Sequence, residues 1–452
     1  MVSAERRGEI KSENGQGAAM PWQSLAIVLG VLSLLSALLF IFSCPTPVFD
    51  DLANMRDIQR YAADGVNAAT LAAHVNPAGP VGYIWAAVMG QAIAHLSGLP
   101  LLTGARLAVC LAWLLLFILI CVTVRSGRER RGPAIAGAMY ATILVAPHSA
   151  MSQALLLTEG PAVLFCVAAC LFYLKAAEDE DQGSMQPWLL CGLLAGISVI
   201  TRQYYLAVLP AFAAAVLFDS APKRRLAPRL WRSVLILAAA SIPVGALVLV
   251  WGGLTSPGMV SGASYAGYKA KLGIDVLRPL DAALAVSVYS AMVLAPAGIA
   301  AARKVPFNVP LLLAIAAAVA CAFSRFPGEG PVHSICELAD RVMGHQLMRY
   351  AVVFVAVYLL SALALAQPSG ELGRLWKDPG FRVASFALML FIAEQFFVGG
   401  NIPFYDRYVM QCMPFIGLLA FRLLRHPGYS ALAGYAGMFA ISQMMLWRFA
   451  VA

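Results

Sequence analysis

Apolar stretches of 15 to 22 residues, close to the length of a helix that crosses a bilayer, recur along this chain and leave few folds open to it. They fall at 22–43, 105–124, 133–150, 157–175, 187–202, 204–218, 232–251, 281–300, 306–323, 348–366, 381–398, 407–424 and 430–447. A backbone in lipid must satisfy its own N–H and C=O groups, so these stretches predict an all-α polytopic membrane protein of about thirteen transmembrane helices. Composition agrees: the chain is 61% hydrophobic and only 12% charged, roughly half the charged fraction of a soluble domain. No stretch between the spans is long enough to fold alone. The expected organisation is a cytoplasmic tail at 1–20 and one transmembrane domain over 21–447.

The net charge of +9 is therefore no sign of a nucleic-acid partner. The basic residues sit in short loops between spans, as the positive-inside rule requires. Arg128, Arg130 and Arg131, then Lys223 to Arg232, Arg303 with Lys304, Arg374 with Lys377, and Arg422 to Arg425 are expected on the cytoplasmic side. Arg6, Arg7 and Lys11 put the N-terminus there too, and the apolar run up to Ser43 lacks a small-residue cleavage site, which reads as a signal anchor. Span parity holds only if 81–98 dips into the membrane and returns, or lies along the outer leaflet. Residues 44–104 are thus expected to form one large extracytoplasmic element, with 252–280 and 324–347 as further outer loops.

The first outer segment reads "CPTPVFDDLANMRDIQRYAADG" (44–65). Leu52, Met55, Ile58, Tyr61 and Ala62 recur at helical spacing and predict an amphipathic interfacial helix over 51–63, with Arg56, Asp57, Arg60 and Asp64 pointing away. Gly65 is a natural stop. Asp50 and Asp51 precede or open this helix, so either could cap its free N–H groups; one cap needs one acid, and Asp51 is the better placed. The next stretch, "HVNPAGPVGYIW" (74–85), holds a Pro–Gly turn followed by Tyr83 and Trp85. Such aromatics are commonly membrane anchors. His74 is either a plain surface histidine or a donor to a phosphate.

Polar residues also mark the outer ends of several later spans: Arg106, Glu159, Arg202 with Gln203, Glu394 with Gln395, and Asp406, Arg407 and Tyr408. A single arginine at a helix end often only snorkels to headgroups. Ionisable groups at membrane depth are costly, however, and several on one face point to a shared polar cavity. Acids there could supply a base, and arginines suit a phosphate leaving group. No P-loop, Rossmann glycine pattern, HExxH or paired CxxC is present. His333, Cys336 and His345 share a loop without zinc-site spacing. Cys44 and Cys336 are expected on one side of the membrane, which does not establish that they pair.

The order of these features resembles the GT-C superfamily of membrane glycosyltransferases. A signal anchor is followed by an acidic pair, here "FDD" (49–51), then an amphipathic helix and a proline turn leading to aromatics, "NPAGPVGYIW". "LTEGPAVLF" and "DRYVMQCMPF" follow in the expected order, and "TRQYY" (201–205) is similar to the Arg-Gln motif of the dolichyl-phosphate-glucose branch. The resemblance implies inverting transfer of a sugar from a polyprenyl-phosphate donor, with Asp50 as the base that deprotonates the acceptor hydroxyl. It implies Asp51 and Glu159 as support for base or acceptor. His74, Arg106, Arg202, Gln203, Arg407 and Tyr408 become the candidates for holding the donor phosphate. No metal is expected, because arginines can stabilise a departing phosphate.

The rival reading is a transporter or flippase of a lipid-linked sugar, which needs the basic cavity but no base. The expected partners are the donor, a glycolipid or envelope-glycan acceptor and membrane lipids. Alanine and arginine richness with little lysine suggests a bacterial inner membrane with the site facing the periplasm or exterior, an ER membrane being the alternative.

Overall fold

A computed structural model describes residues 21–126, 131–178, 184–219, 226–253, 255–261, 273–328, 331–343, 347–368, 370–397, 406–424 and 428–451. The tail at 1–20, the loop arginines 128 and 130, residues 223–225, His345 and parts of both later outer loops lie outside them. Helices account for nearly all of the described chain. Apart from two short helices, Pro257–Val260 and Glu371–Trp376, they are α1 (Trp22–Ser43), α2 (Asp51–Asp64), α3 (Ala68–Ala72), α4 (Pro80–Ser97), α5 (Leu101–Ser126), α6 (Arg131–Leu144), α7 (Ser149–Ala154), α8 (Glu159–Glu178), α9 (Gln186–Thr201), α10 (Val208–Leu217) and α11 (Leu226–Trp251). After these come α12 (Arg278–Ala302), α13 (Asn308–Ala322), α14 (Pro331–Met343), α15 (Met348–Leu365), α16 (Pro379–Glu394), α17 (Met413–Leu424) and α18 (Tyr429–Val451). Among the described residues, seven helices are long and apolar enough to cross a membrane, and four apolar helices are shorter. Each of the thirteen expected spans coincides with helix over most of its described length, with 133–150 interrupted by a turn between Leu144 and Ser149; the number thirteen itself is not established by them.

The bundle is built by α1 against α5 and α6, α6 against α17, α8 against α9, α9 against α11, and α12 and α13 against α15. The α9–α11 contact shows how sequence sets helix approach. Gly192 and Gly196 form a small-xxx-small pair that lets backbones meet closely; a Cβ on either would collide with the carbonyls of Ile236 and Ala240. Two spans break where the site lies. α9 ends because Arg202 is extended (φ −148°), and a 3₁₀ turn, Gln203–Ala207, precedes α10. Another 3₁₀ turn, Asp406–Cys412, opens the segment that continues as α17.

Segment 81–98 does not dip and return; α4 is one uninterrupted helix. It packs on the first turns of α5 and also meets α2, α8 and α9: Gly90 abuts Ala105, and the Trp85 indole donates to the Ala108 carbonyl at 2.6 Å. Arg106, at the same level, donates to the carbonyl of Cys44, where α1 ends. The first turns of α5 thus meet both α4 and the C-terminal end of α1.

Candidate active site

The amphipathic helix forms as expected and stops at Gly65, whose φ of 73° suits glycine. Its apolar face is narrower than its spacing suggests. Ile58 and Tyr61 are buried, whereas Leu52 is exposed. Its polar face is also not simply solvated, because Asp51, Asn54 and Asp57 are buried. The reason is an unmet demand for acceptors and donors in the chain folded over it. Asp51 accepts the backbone N–H of Leu156 at 2.8 Å, and the Asn54 amide donates to the Leu156 carbonyl at 2.6 Å. Helix α2 thus holds both backbone groups of a residue three positions before Glu159.

The two aspartates have opposite surroundings. Asp51 has its carboxylate fully buried against Arg106, whose guanidinium also donates to the carbonyls of Cys44 and Thr46. It also accepts the Val48 N–H at 3.1 Å. This closed pair ties α2 to α1 and α5. The capping expectation is corrected for both residues: Asp50 makes no side-chain cap bond, and Asp51 binds an N–H that precedes the helix. Arg106 is likewise committed, with a 1% exposed side chain that faces Asp51 rather than a cavity.

Asp50, by contrast, is open. Its side chain is 40% exposed and pairs with Arg407 at 2.8 Å. Phe49 immediately before it has φ 53°, in the left-handed region. A non-glycine residue held there is strained by about 1–2 kcal/mol. Its ring packs on Phe449 of α18 at 5.6 Å, which holds the turn that aims Asp50.

A second acid–arginine pair lies beside the first. Glu159 opens α8 and pairs with Arg202 at 2.8 Å, and Arg202 also donates to the Thr158 hydroxyl at 3.1 Å. Oε2 of Glu159 is buried with no partner among the described residues. Arg407 lies within electrostatic reach of Glu159 as well as Asp50, and the Tyr83 hydroxyl within reach of Arg202, Glu159 and Asp50. Tyr204 and Tyr408 join the two broken spans, with ring centroids 4.4 Å apart. Arg202 lies over Tyr204, and Arg407 and Arg278 over Tyr408.

Asp50, Glu159, Arg202, Arg407 and Tyr408 therefore come together, although the chain separates them by up to 358 positions (50 to 408). Gln203 is exposed and makes no side-chain hydrogen bond among the described residues. Gln395 accepts from the buried Arg278 at 3.1 Å, and Glu394 accepts the Ala207 N–H at 3.2 Å, so the end of α16 braces the first 3₁₀ turn. The side chain of Asp406 lies outside the described residues.

His74 is neither on the surface nor open to a phosphate. It is wholly buried, with Nε2 at 2.8 Å from the Ala78 carbonyl and Nδ1 near the Tyr61 hydroxyl (3.2 Å) and Asp57 (3.3 Å). Burial pushes its pKa below the usual histidine range, against the opposing pull of Asp57. Asp57 also accepts the N–H groups of Val75 and Asn76, so this acid and histidine knot the turn before α4. Tyr83 and Trp85 are used for packing too: Tyr83 is buried and donates to Asn54 at 3.1 Å. Cys44 and Cys336 form no disulfide with each other.

Sequence reasoning missed Arg278, Tyr204, Asn54 and Asp57. Arg278 was readable as another charge at the start of a span. Asn54 and Asp57 had no signal, because only the fold shows which backbone groups they satisfy.

Residues 79–251 match the family model described as dolichyl-phosphate-mannose-protein mannosyltransferase. The matched segment includes Glu159 and Arg202 and excludes Asp50 and Arg407. Among solved structures, ArnT from Cupriavidus metallidurans in the apo state is similar at 14% identity and a TM-score of 0.42, over 92% of this chain and 76% of that one. The same protein bound to undecaprenyl phosphate is similar at 14% identity and a TM-score of 0.43, over 93% and 78%. No curated protein matches. The match covers "LTEGPAVLF" and "TRQYY" and leaves "FDD" and "DRYVMQCMPF" outside it.

Proposed function

We propose that this GT-C membrane glycosyltransferase moves a sugar, with inversion, from a polyprenyl-phosphate donor to a glycolipid or envelope-glycan acceptor. The carrying observation is the open Asp50–Arg407 pair beside Glu159–Arg202, which sets a carboxylate next to two arginines. The family described as using a dolichyl-phosphate sugar supports the donor class. Asp50 takes the proton from the acceptor hydroxyl, so that the oxygen attacks the anomeric carbon from the face opposite the phosphate. A single base suffices for inversion. Arg407 and Arg202 receive the negative charge that develops on the leaving phosphate. Glu159, held by Arg202 with one oxygen unpartnered, orients the acceptor. The arginines do the work a cation would do, so no metal is required. The site faces the periplasm or exterior of a bacterial inner membrane.

The test is purified protein incubated with a panel of polyprenyl-phosphate sugars and labelled acceptors. Transfer is expected from one of them, unchanged by EDTA and reduced about 10²–10⁴-fold by Asp50→Asn. Undiminished transfer in that variant would sink the enzyme reading in favour of a lipid-linked-sugar carrier. Loss in EDTA with rescue by Mn²⁺ or Mg²⁺ would overturn metal independence.

A further inference from the structure

Asp50, the proposed base, is bonded to Arg407, one of the proposed phosphate ligands. Those two roles compete. A carboxylate held by a guanidinium is a weaker base, and a guanidinium held by a carboxylate is a weaker phosphate ligand. The pair is nonetheless not a locked structural bridge. The Arg106–Asp51 pair has side chains 1% and 0% exposed, whereas the Arg407 and Asp50 side chains are 24% and 40% exposed. A partly solvated pair can exchange its partner without leaving a charge stranded in a dry interior.

Resting on the reading above, we infer that Arg407 changes partner during the reaction, from the Asp50 carboxylate to the departing phosphate. The charge balance makes the exchange self-consistent. Before transfer, Asp50 is an anion and the donor a singly charged phosphodiester. The acceptor O–H bond then breaks and its proton passes to Asp50, which becomes neutral. The new bond joins the acceptor oxygen to the anomeric carbon, and the old C–O bond breaks with its electron pair going to the phosphate. The phosphate becomes a monoester with about two negative charges near neutral pH. The total is unchanged, but the anion beside Arg407 has moved from carboxylate to phosphate.

Arg407 then interacts more strongly with the transition state than with the bound donor, which is the kind of interaction that raises kcat. Glu159 lies within electrostatic reach of Arg407 but keeps its own arginine, Arg202, so it need not follow the exchange.

The test is the affinity of full-length protein in detergent for farnesyl monophosphate, a stand-in for the lipid product. If Asp50 competes for Arg407, Asp50→Asn binds this probe several-fold more tightly than wild type while losing transfer. The gain is expected to disappear when Arg407→Gln is added, completing a double-mutant cycle. Unchanged or weaker binding in Asp50→Asn overturns the exchange, as does a gain that persists without Arg407. Failure of the underlying reading looks different: Asp50→Asn would then still transfer sugar. An inactive Asp50→Asn with unaltered affinity would sink the exchange alone.

Discussion

Asp50 and Asp51 are adjacent, share a charge and each pair with an arginine, yet their substitution is expected to fail in different ways. Asp51→Asn leaves the Arg106 guanidinium charged in a dry site, and breaking a buried pair in this way costs about 3–5 kcal/mol. A large loss of thermal stability in detergent, with activity falling only as the fold does, is the expected outcome. Asp50→Asn removes a half-exposed pair worth about 0–1 kcal/mol, so its melting temperature should stay near wild type while transfer is lost. Equal melting temperatures for the two variants would contradict this division. The acidic pair was legible in the sequence as a choice between cap and base. Its outcome was not, because the partners lie far along the chain: Arg106 and Leu156 for one residue, Arg407 for the other.

Close backbone contacts, besides charge, bring elements to the site. The Pro–Gly turn places Pro80 at the first position of α4 and Gly79 as its N-cap, an arrangement that suits helix initiation. A Cβ on Gly79 would overlap the carbonyl of Ile200, two residues before Arg202. Gly79→Ala should therefore push α4 away from the end of α9, with an overpacking loss of about 1–3 kcal/mol and reduced transfer. Gly245→Ala in α11 is the control, since nothing lies within 4 Å of a Cβ there. In that exposed helix the change should be neutral or slightly stabilising. Equal losses in thermal melts of the two variants would refute the contact account. Helix positions were readable from apolar spacing, but the pairing of α4 with the start of α5 was not. Alanine- and glycine-rich faces are chemically alike, and many of them could have packed together.

Across the whole molecule, the basic loops and the acid–arginine site are expected on opposite membrane faces. A cysteine placed at the exposed His95 should react with an impermeant maleimide in intact cells, and one at Lys304 only after permeabilisation. The reverse pattern would invert the orientation. The sequence alone determined that the chain is helical and membrane-embedded, where most helices begin and end, and which polar residues were too costly at membrane depth to be incidental. These follow from local properties: apolar length, helical spacing and the position of charge. Tertiary structure decided how those polar residues are used. It closed Asp51 and Arg106 into a brace and His74 and Asp57 into a knot, and it left Asp50, Arg407, Glu159 and Arg202 together. A carboxylate and an arginine have the same chemistry in either setting. What separates brace from site is how much water and how many other partners the folded chain leaves around them.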